Sequence, residues 1–243
     1  MKNNTKTAIC ISGYFDSLTD PTSKGADGYK HLQKHVFSKS DVDVYIHSWD
    51  LKKKQVILDL YGECIKGYHF EPQIDFSPME TVRGVGGYVP QSRLFSQYYS
   101  VQKSFELLKE KGERYDCVIK TRFDVGRINR NTSGPGMHNP YAVQCINFDP
   151  HLDMEKFYMA EWSQATFDEE GPADMWFYSS QDNMISFASF FDLIKKEMRT
   201  GGQMEKWAGS ADGGLVNGIK CYKWFLMRSG LWDKRIALST TWE

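Results

Sequence analysis

The chain has 243 residues, of which 41% are hydrophobic, and this is enough for one substantial core but short for two full domains. Its 30 Lys and Arg residues are balanced by 31 Asp and Glu residues, and a formal charge of -1 disfavours nucleic-acid binding. No stretch approaches the roughly 18 apolar residues that a membrane helix needs, so we expect a single domain without a transmembrane segment.

The five cysteines are widely spaced, lie mostly in apolar runs and form no C-x-x-C pair. This usage is typical of small core residues in a reducing compartment. The N-terminal apolar stretch is short and runs directly into Ser12 and Gly13, which indicates a first β-strand and not a signal peptide. We therefore expect a cytoplasmic protein. Aromatic residues make up 14% of the chain, which leaves association with a membrane surface open.

Helix-like and strand-like segments alternate along the first half, and this order favours a mostly parallel sheet covered by helices. Strands are predicted at 6–12, 41–48, 64–70 and 115–124, and helices at 28–39 and 52–61. The clearest helix follows a Pro- and Gly-rich loop at 71–91; Ser92 is its predicted cap and Gly112 closes it.

The second half is less regular, and another loop is predicted at 126–140. Strands follow at 141–148, 156–162, 174–178 and 234–240, and helices at 181–198 and 213–229. Together these elements indicate one α/β domain with a more regular first half.

The strongest local signal is Lys-Thr-Arg-Phe-Asp at 120–124, where an apolar strand ends in charged residues. Lys120 and Arg122 share one side of the strand, while Thr121 and Phe123 face the other. Such a strand end could hold a diphosphate and its divalent metal, since Mg²⁺ and Mn²⁺ prefer carboxylate, phosphate and water oxygens. The alternative is a structural ion pair between Arg122 and Asp124.

Four segments occur in a recognisable order: AICISGYFD, DVDVYIHSWD, SRLFSQYYSVQKSFELLKE running into YDCVIKTRFDV, and ADMWFYSSQDNM. Together they resemble a family of small bacterial and viral GT-A-type glycosyltransferases, over residues 7 to about 190. The most specific part is the long helix followed by the strand that ends in Arg-x-Asp. The resemblance implies a GT-A-like (Rossmann-like) fold, with a mixed, mostly parallel sheet flanked by helices. It also implies that the single domain has a nucleotide-binding half (about 1–125) and an acceptor-binding half (about 126–243).

The implied activity is transfer of a hexosyl or deoxyhexosyl unit from a nucleoside-diphosphate sugar, with UDP-sugars expected first, to a hydroxyl of a glycan or glycolipid. The resemblance places these residues against the nucleotide: Ser12, Gly13, Tyr14, His47, Asp50, Ser96, Gln97, Lys103, Lys120 and Arg122. Asp124 corresponds to the last carboxylate of the family's Asp-x-Asp motif and would bind Mn²⁺ or Mg²⁺. Arg122 stands where that motif has its first carboxylate, which is a departure from the pattern.

Two carboxylates are candidates for the catalytic base that takes the acceptor proton. Asp174 is the first, because it resembles the acidic residue that such folds present from a later strand. Asp212 is the second. A turn or strand-end carboxylate is the alternative interpretation of Asp174, and a helix cap or turn residue that of Asp212.

Two other functions stay open from the sequence. The chain could bind a nucleotide or glycan without catalysis, which the missing first carboxylate of the metal motif permits. It could also be a Rossmann-like nucleotidyltransferase, because fold analogy does not determine the reaction. One smaller motif is the pair His31 and His35, which are four residues apart but lack an intervening Glu, so a solvated helix face is expected there.

Overall fold

The computed structural model describes residues 5–16, 25–79, 90–126, 145–160, 171–212 and 218–238, without the side chains of 208–212. In these ranges seven strands form one sheet in the order β3-β2-β1-β4-β6-β5-β7. The strands are β1 (Lys6–Gly13), β2 (Asp41–Ser48), β3 (Ile65–Phe70), β4 (Cys117–Arg122), β5 (Phe157–Ala160), β6 (Trp176–Ser179) and β7 (Arg235–Leu238). Only β6 runs against its neighbours, so the predicted mixed, mostly parallel sheet is confirmed.

Helices flank this sheet. They are α1 (Gly25–Leu32), α2 (Lys54–Tyr61), α3 (Gln91–Lys111), α4 (Gln181–Ala188), α5 (Phe190–Glu197), α6 (Gln203–Asp212) and α7 (Gly218–Arg228). A π-helical turn at Gln33–Phe37 continues α1. The arrangement is compatible with a Rossmann-like α/β fold, and no helix among the described residues is long and apolar enough to cross a membrane.

The core has two layers, one on each face of the sheet, because strand residues alternate between faces. In β1, Ala8 and Cys10 pack on the layer that contains α3, while Ile9 and Ile11 pack on the opposite layer. The apolar stripe of α3 is buried as predicted. Gly112 ends this helix with a left-handed φ of 67°, a conformation that glycine adopts without strain.

The sequence-based prediction fails at three described places. A strand was expected at 141–148, yet 145–148 forms none and 141–144 lies outside the described residues; Ile146 and Phe148 are buried in the core without joining the sheet. The expected helix at 181–198 is interrupted at Ser189, whose Oγ hydrogen bonds the Ser186 carbonyl and competes with the helical pattern. Pro90, and not Ser92, precedes the first residue of α3 and makes no side-chain cap.

Other predicted segments extend beyond what the structure describes. The loop at 71–91 is described only in part, because 80–89 lie outside the described residues. The same holds for 127–144, which include most of the loop predicted at 126–140. The helix predicted at 213–229 is present as α7, although 213–217 lie outside the description. Helix α6 was not predicted.

Candidate functional site at the carboxyl edge of the sheet

A pocket of about 620 Å³ opens where the parallel strands β1 and β4 end. This volume lies in the usual range for small-molecule sites, and the carboxyl edge is where open α/β sheets bind ligands. Its lining consists of Ser12, Gly13, Tyr14, Trp49, Gln73, Ile74, Asp75, Phe76, Ser92, Arg93, Ser96, Gln97, Ser100, Lys120, Arg122 and Asp124. All of these residues belong to the predicted nucleotide-binding half.

Gly13 shapes the floor of this pocket at the end of β1. Its φ of 107° is a conformation that residues with a Cβ rarely adopt. The Gly13 N–H donates to the Ser100 Oγ at 3.0 Å, and its carbonyl accepts from the Ser48 Oγ at 2.8 Å. These two bonds fix the turn between α3 and the end of β2. Glycine suits this position because of its backbone conformation, since a Cβ added to Gly13 would meet no atom within 4 Å.

Arg122 projects from the end of β4 and joins two carboxylates. Its Nε and Nη2 donate to the two carboxylate oxygens of Asp124, both at 3.0 Å, and its Nη1 donates to Asp174 at 3.3 Å. Asp174 reaches this position because β6 runs antiparallel to β4, so that the residues preceding β6 lie beside the carboxyl end of β4. Bidentate pairing of this kind holds a guanidinium in one orientation.

The charges in this cluster stabilise one another. Burial lowers the pKa of Arg122, but the nearby Asp174 and Asp124 outweigh it, and the net shift is upward. Burial raises the pKa of Asp174, but Arg122, Lys120 and a hydrogen bond from Gln97 outweigh that effect and lower it. Both groups are therefore ionised at neutral pH.

Lys120 is fully buried two residues before Arg122 on the same side of β4. Its Nζ donates to the Asp174 carbonyl and lies 5.3 Å from the centre of the Phe177 ring and 5.6 Å from that of Tyr222. Burial lowers the pKa of Lys120 to about 8. The ammonium is thus still mostly protonated near pH 7 and close to losing its charge.

The lining carries three cationic side chains, Arg93, Lys120 and Arg122, against two carboxylates, Asp75 and Asp124. Ser92 and Arg93 come from the first turn of α3, where the helix dipole favours an anion. The balance of charge and the position of this helix end both suit a phosphate-bearing ligand.

A divalent cation does not fit this arrangement of Asp124. Both carboxylate oxygens accept hydrogen bonds from Arg122, and the same guanidinium extends to Asp174. Arg122 therefore occupies the place between Asp124 and Asp174 that a metal ion would take. The alternative interpretation from the sequence, an Arg122–Asp124 ion pair, describes the geometry, and metal binding by Asp124 stays a prediction.

Most of the residues predicted to contact the nucleotide line the pocket: Ser12, Gly13, Tyr14, Ser96, Gln97, Lys120 and Arg122. Three others lie outside the lining. His47 is buried beneath it and bonded to Ser100 and Glu71, while Lys103 donates to Glu106 at 2.6 Å. Asp50 follows β2, close enough to Tyr14 to contribute to raising its pKa, after the larger effect of burial.

The structure describes the side chain of Asp174 but not that of Asp212, the other predicted catalytic carboxylate. Asp174 lies under Arg122 and also accepts from Gln97. Asp212 is the last residue of α6, and its side chain lies outside the described residues.

Sequence reasoning missed Gln73, Asp75, Phe76 and Arg93 as lining residues. The sequence predicts only a loop at 71–91, although the first part of this segment directly follows β3 at the carboxyl edge. That position was the available signal. Asp75 is exposed, and its carboxylate accepts the Ser77 N–H at 2.9 Å.

The chain matches no protein-family model, and no curated protein gives a significant match to it.

Proposed function

We propose that this protein transfers a glycosyl unit from a nucleoside-diphosphate sugar, with UDP-sugars the first candidates, to a hydroxyl of a glycan or glycolipid. The observation that carries the proposal is the pocket at the carboxyl ends of β1 and β4, where two carboxylates hold Arg122 and the Asp174 carbonyl accepts from Lys120. The mixed sheet with one reversed strand also agrees with the GT-A-like fold that the sequence resemblance implies.

The chemical requirement of this reaction is to stabilise charge on the departing diphosphate. As the bond between the anomeric carbon and the phosphate oxygen breaks, its electron pair stays on the diphosphate, and the acceptor oxygen forms the new bond to carbon. Positioned cations facing the leaving group stabilise that charge. Arg122 supplies such a cation at the end of β4, the buried Lys120 ammonium adds positive charge two residues before it, and the dipole of α3 favours the anion.

The acceptor proton needs a base, and Asp124 is engaged in its bidentate pair with Arg122. Asp174 stays our first candidate, but its lowered pKa and its bonds to Arg122 and Gln97 make it a weak base in this arrangement and suit it to positioning Arg122. Asp75, which lines the pocket directly, is an additional candidate from the structure. The role of Asp212 stays a prediction.

A second candidate function is nucleotide binding without transfer. It is favoured by one observation, the bidentate Arg122–Asp124 pair, which occupies the only carboxylate that corresponds to the family's metal motif. A cytoplasmic location, with association at a membrane surface left open, stays a prediction from the sequence.

A thermal-shift screen of UDP, UDP-sugars and nucleoside triphosphates tests the proposal, because a ligand that binds only the folded chain raises its melting temperature. We expect UDP-sugars to stabilise the protein more than triphosphates do, with and without EDTA. Incubation with the stabilising donor and glycan or glycolipid acceptors should then give a glycosylated product.

Three results distinguish the alternatives. Stabilisation by triphosphates alone would favour nucleotidyl transfer, and binding without transfer or donor hydrolysis would favour the binding module. If transfer occurs, Asp174→Asn and Asp75→Asn separate the two candidate bases. The base is the one whose variant binds donor normally and loses turnover.

A further inference from the structure

A second polar cluster lies at the same sheet edge, on the neighbouring strands β2 and β3. His47 and His69 are partners in the register of these parallel strands, so their side chains stand on the same face. Glu71 lies two residues after His69 and follows the same side, because strand residues alternate. Its N–H donates to the Ser48 carbonyl at 3.2 Å, which continues the pairing past the end of β3.

The three side chains converge. The Nε2 of His47 lies 2.9 Å from one carboxylate oxygen of Glu71, and the Nε2 of His69 lies 3.6 Å from the other. One ligand atom from each residue lies within 4.8 Å of the other two. Ligand atoms around a tetrahedral ion are about 3.4 Å apart when the metal–ligand bonds are 2.0–2.2 Å long. The His69 ring stacks on that of His47 at 5.8 Å and 20°, so His69 must rotate to direct its lone pair at a shared ion, and its exposed side chain has room to do so.

The cluster is closed on the inside and open on the outside. The His47 side chain is fully buried, while His69 is 51% exposed and Glu71 21% exposed. The rings of Trp49 and Tyr99 flank His47, with centroid distances of 4.7 and 5.8 Å. An ion could therefore arrive from solvent past His69 and lie against a mostly apolar wall.

The inner nitrogen of His47 has the partner that a metal-bound imidazole needs. Its Nδ1 lies 2.7 Å from the Ser100 Oγ, which also accepts the Gly13 N–H. With Nδ1–H donating to Ser100, Nε2 presents a lone pair toward Glu71, and such outer hydrogen bonds orient metal-ligating histidines. In the other tautomer Ser100 donates to Nδ1 and Nε2–H donates to Glu71, which describes the cluster without an ion.

Metal ligation requires a neutral imidazole and an ionised carboxylate, and His47 and Glu71 are in these states near pH 7. Burial lowers the pKa of His47 to about 4, so its ring is neutral near pH 7. Burial raises the pKa of Glu71, but hydrogen bonds from His47 and Tyr99 outweigh it and lower the pKa. Lys103 is the nearby positive group, and it is paired with Glu106.

We propose that His47, His69 and Glu71 bind one divalent transition-metal ion of the zinc class. Two imidazoles and one carboxylate suit Zn²⁺, Co²⁺ or Ni²⁺ and not Mg²⁺ or Ca²⁺, which prefer oxygen ligands. Three protein ligands leave a further coordination position for water or a substrate group. The ion joins the edge strand β3 to β2 and fixes His47 in the tautomer that donates to Ser100.

The test is calorimetric titration of the untagged, chelator-treated chain with Zn²⁺, followed by visible absorption of the Co²⁺ form. We expect one ion per chain, no comparable binding of Mg²⁺, and Co²⁺ absorption typical of four- or five-coordinate nitrogen and oxygen ligation. His69→Ala and Glu71→Gln should each lower Zn²⁺ affinity by more than about tenfold. Both side chains reach solvent, so these variants should fold, which circular dichroism without metal would verify.

His35→Ala is the matched control. His31 and His35 form the other close histidine pair among the described residues, with ring centroids 4.3 Å apart, and the Ile146 N–H donates to the His31 Nε2. Contrary to the sequence expectation of a solvated face, burial lowers the pKa of His31 to about 3. Zn²⁺ binding that is absent, that persists in the His69→Ala/Glu71→Gln double variant, or that is lost in His35→Ala would overturn the proposal. Nucleotide binding is not a readout here, so the result is independent of the proposed transferase activity.

Discussion

Two clusters at one sheet edge present opposite chemistry. At the end of β4, Arg122 pairs with two carboxylates and the Lys120 ammonium is buried two residues before it, and these two cations suit an anionic ligand. At the ends of β2 and β3, neutral imidazole and a carboxylate face one another, which suits a cation. The carboxyl edge of a parallel sheet therefore brings polar side chains together, but the residue types on each strand decide which ligand each part can hold.

The largest effect should come from Arg122→Gln. This change removes the guanidinium that joins Asp124 and Asp174, leaving two carboxylates close together without their shared cation. We expect the free energy of unfolding to fall by about 1–3 kcal/mol in chemical denaturation, because hydrogen bonds to charged groups are lost. UDP affinity should fall by more than about tenfold, since a positioned cation is lost from the pocket.

Asp124→Asn gives a control with the opposite sign. If Asp124 only orients Arg122, removing its negative charge leaves UDP affinity unchanged or raises it, and EDTA has no effect on wild-type binding. If Asp124 holds Mn²⁺ or Mg²⁺ for the diphosphate, the same variant loses metal-dependent UDP binding. Calorimetry with Mn²⁺ and with EDTA decides between these roles. Loss of metal-dependent UDP binding in Asp124→Asn would show that Asp124 is a metal ligand.

The same two clusters show what the sequence can predict. The strands at 6–12, 41–48 and 64–70 follow from apolar runs bounded by turn residues, and the charged end of β4 led to the pocket residues Lys120, Arg122 and Asp124. The family resemblance, and not a local pattern, supplied five others: Ser12, Gly13, Tyr14, Ser96 and Gln97. A local pattern was sufficient at the end of β4 because each side chain follows directly from its own strand.

The histidine cluster depends on information that no local pattern contains. His47 and His69 pair only because the register between β2 and β3 shifts at Val44 and Tyr45. A shift of one residue would place one ring on the opposite face. Asp75 and Arg93 were missed for a related reason: they reach the pocket from a loop and a helix start whose positions are set by tertiary packing.

A smaller effect should appear in the pH dependence of UDP binding. The pKa of Lys120 is lowered to about 8 by burial, so raising the pH from 7 to 9 removes its proton and one positive charge from the pocket. The groups that face this ammonium are Asp174, Arg122, Asp124 and the Tyr222 ring. We expect UDP affinity to fall severalfold over this interval.

Lys120→Met tests whether Lys120 causes that fall. The variant should bind UDP more weakly at pH 7 and show a flatter profile up to pH 9, because its side chain has no proton to lose. An equally steep decline in the variant would assign the pH dependence to another group. UDP binding is measured by calorimetry at constant ionic strength, so that changes in the screening of charges by salt do not contribute to the pH dependence.

The smallest change should be Gly13→Ala, which acts on the connection between the two clusters. No atom lies within 4 Å of the added Cβ, so the cost comes from the φ of 107° and should be about 1–2 kcal/mol in the free energy of unfolding. Gly230→Ala is the matched control, since Gly230 has a φ of 73°, equally open space and no place in the pocket lining. Both variants should lose similar stability, but only Gly13→Ala should also weaken UDP and Zn²⁺ binding, because the Gly13 N–H and His47 share the Ser100 hydroxyl. Zn²⁺ affinity equal to wild type in Gly13→Ala, with UDP affinity reduced, would show that the clusters are neighbours without being coupled.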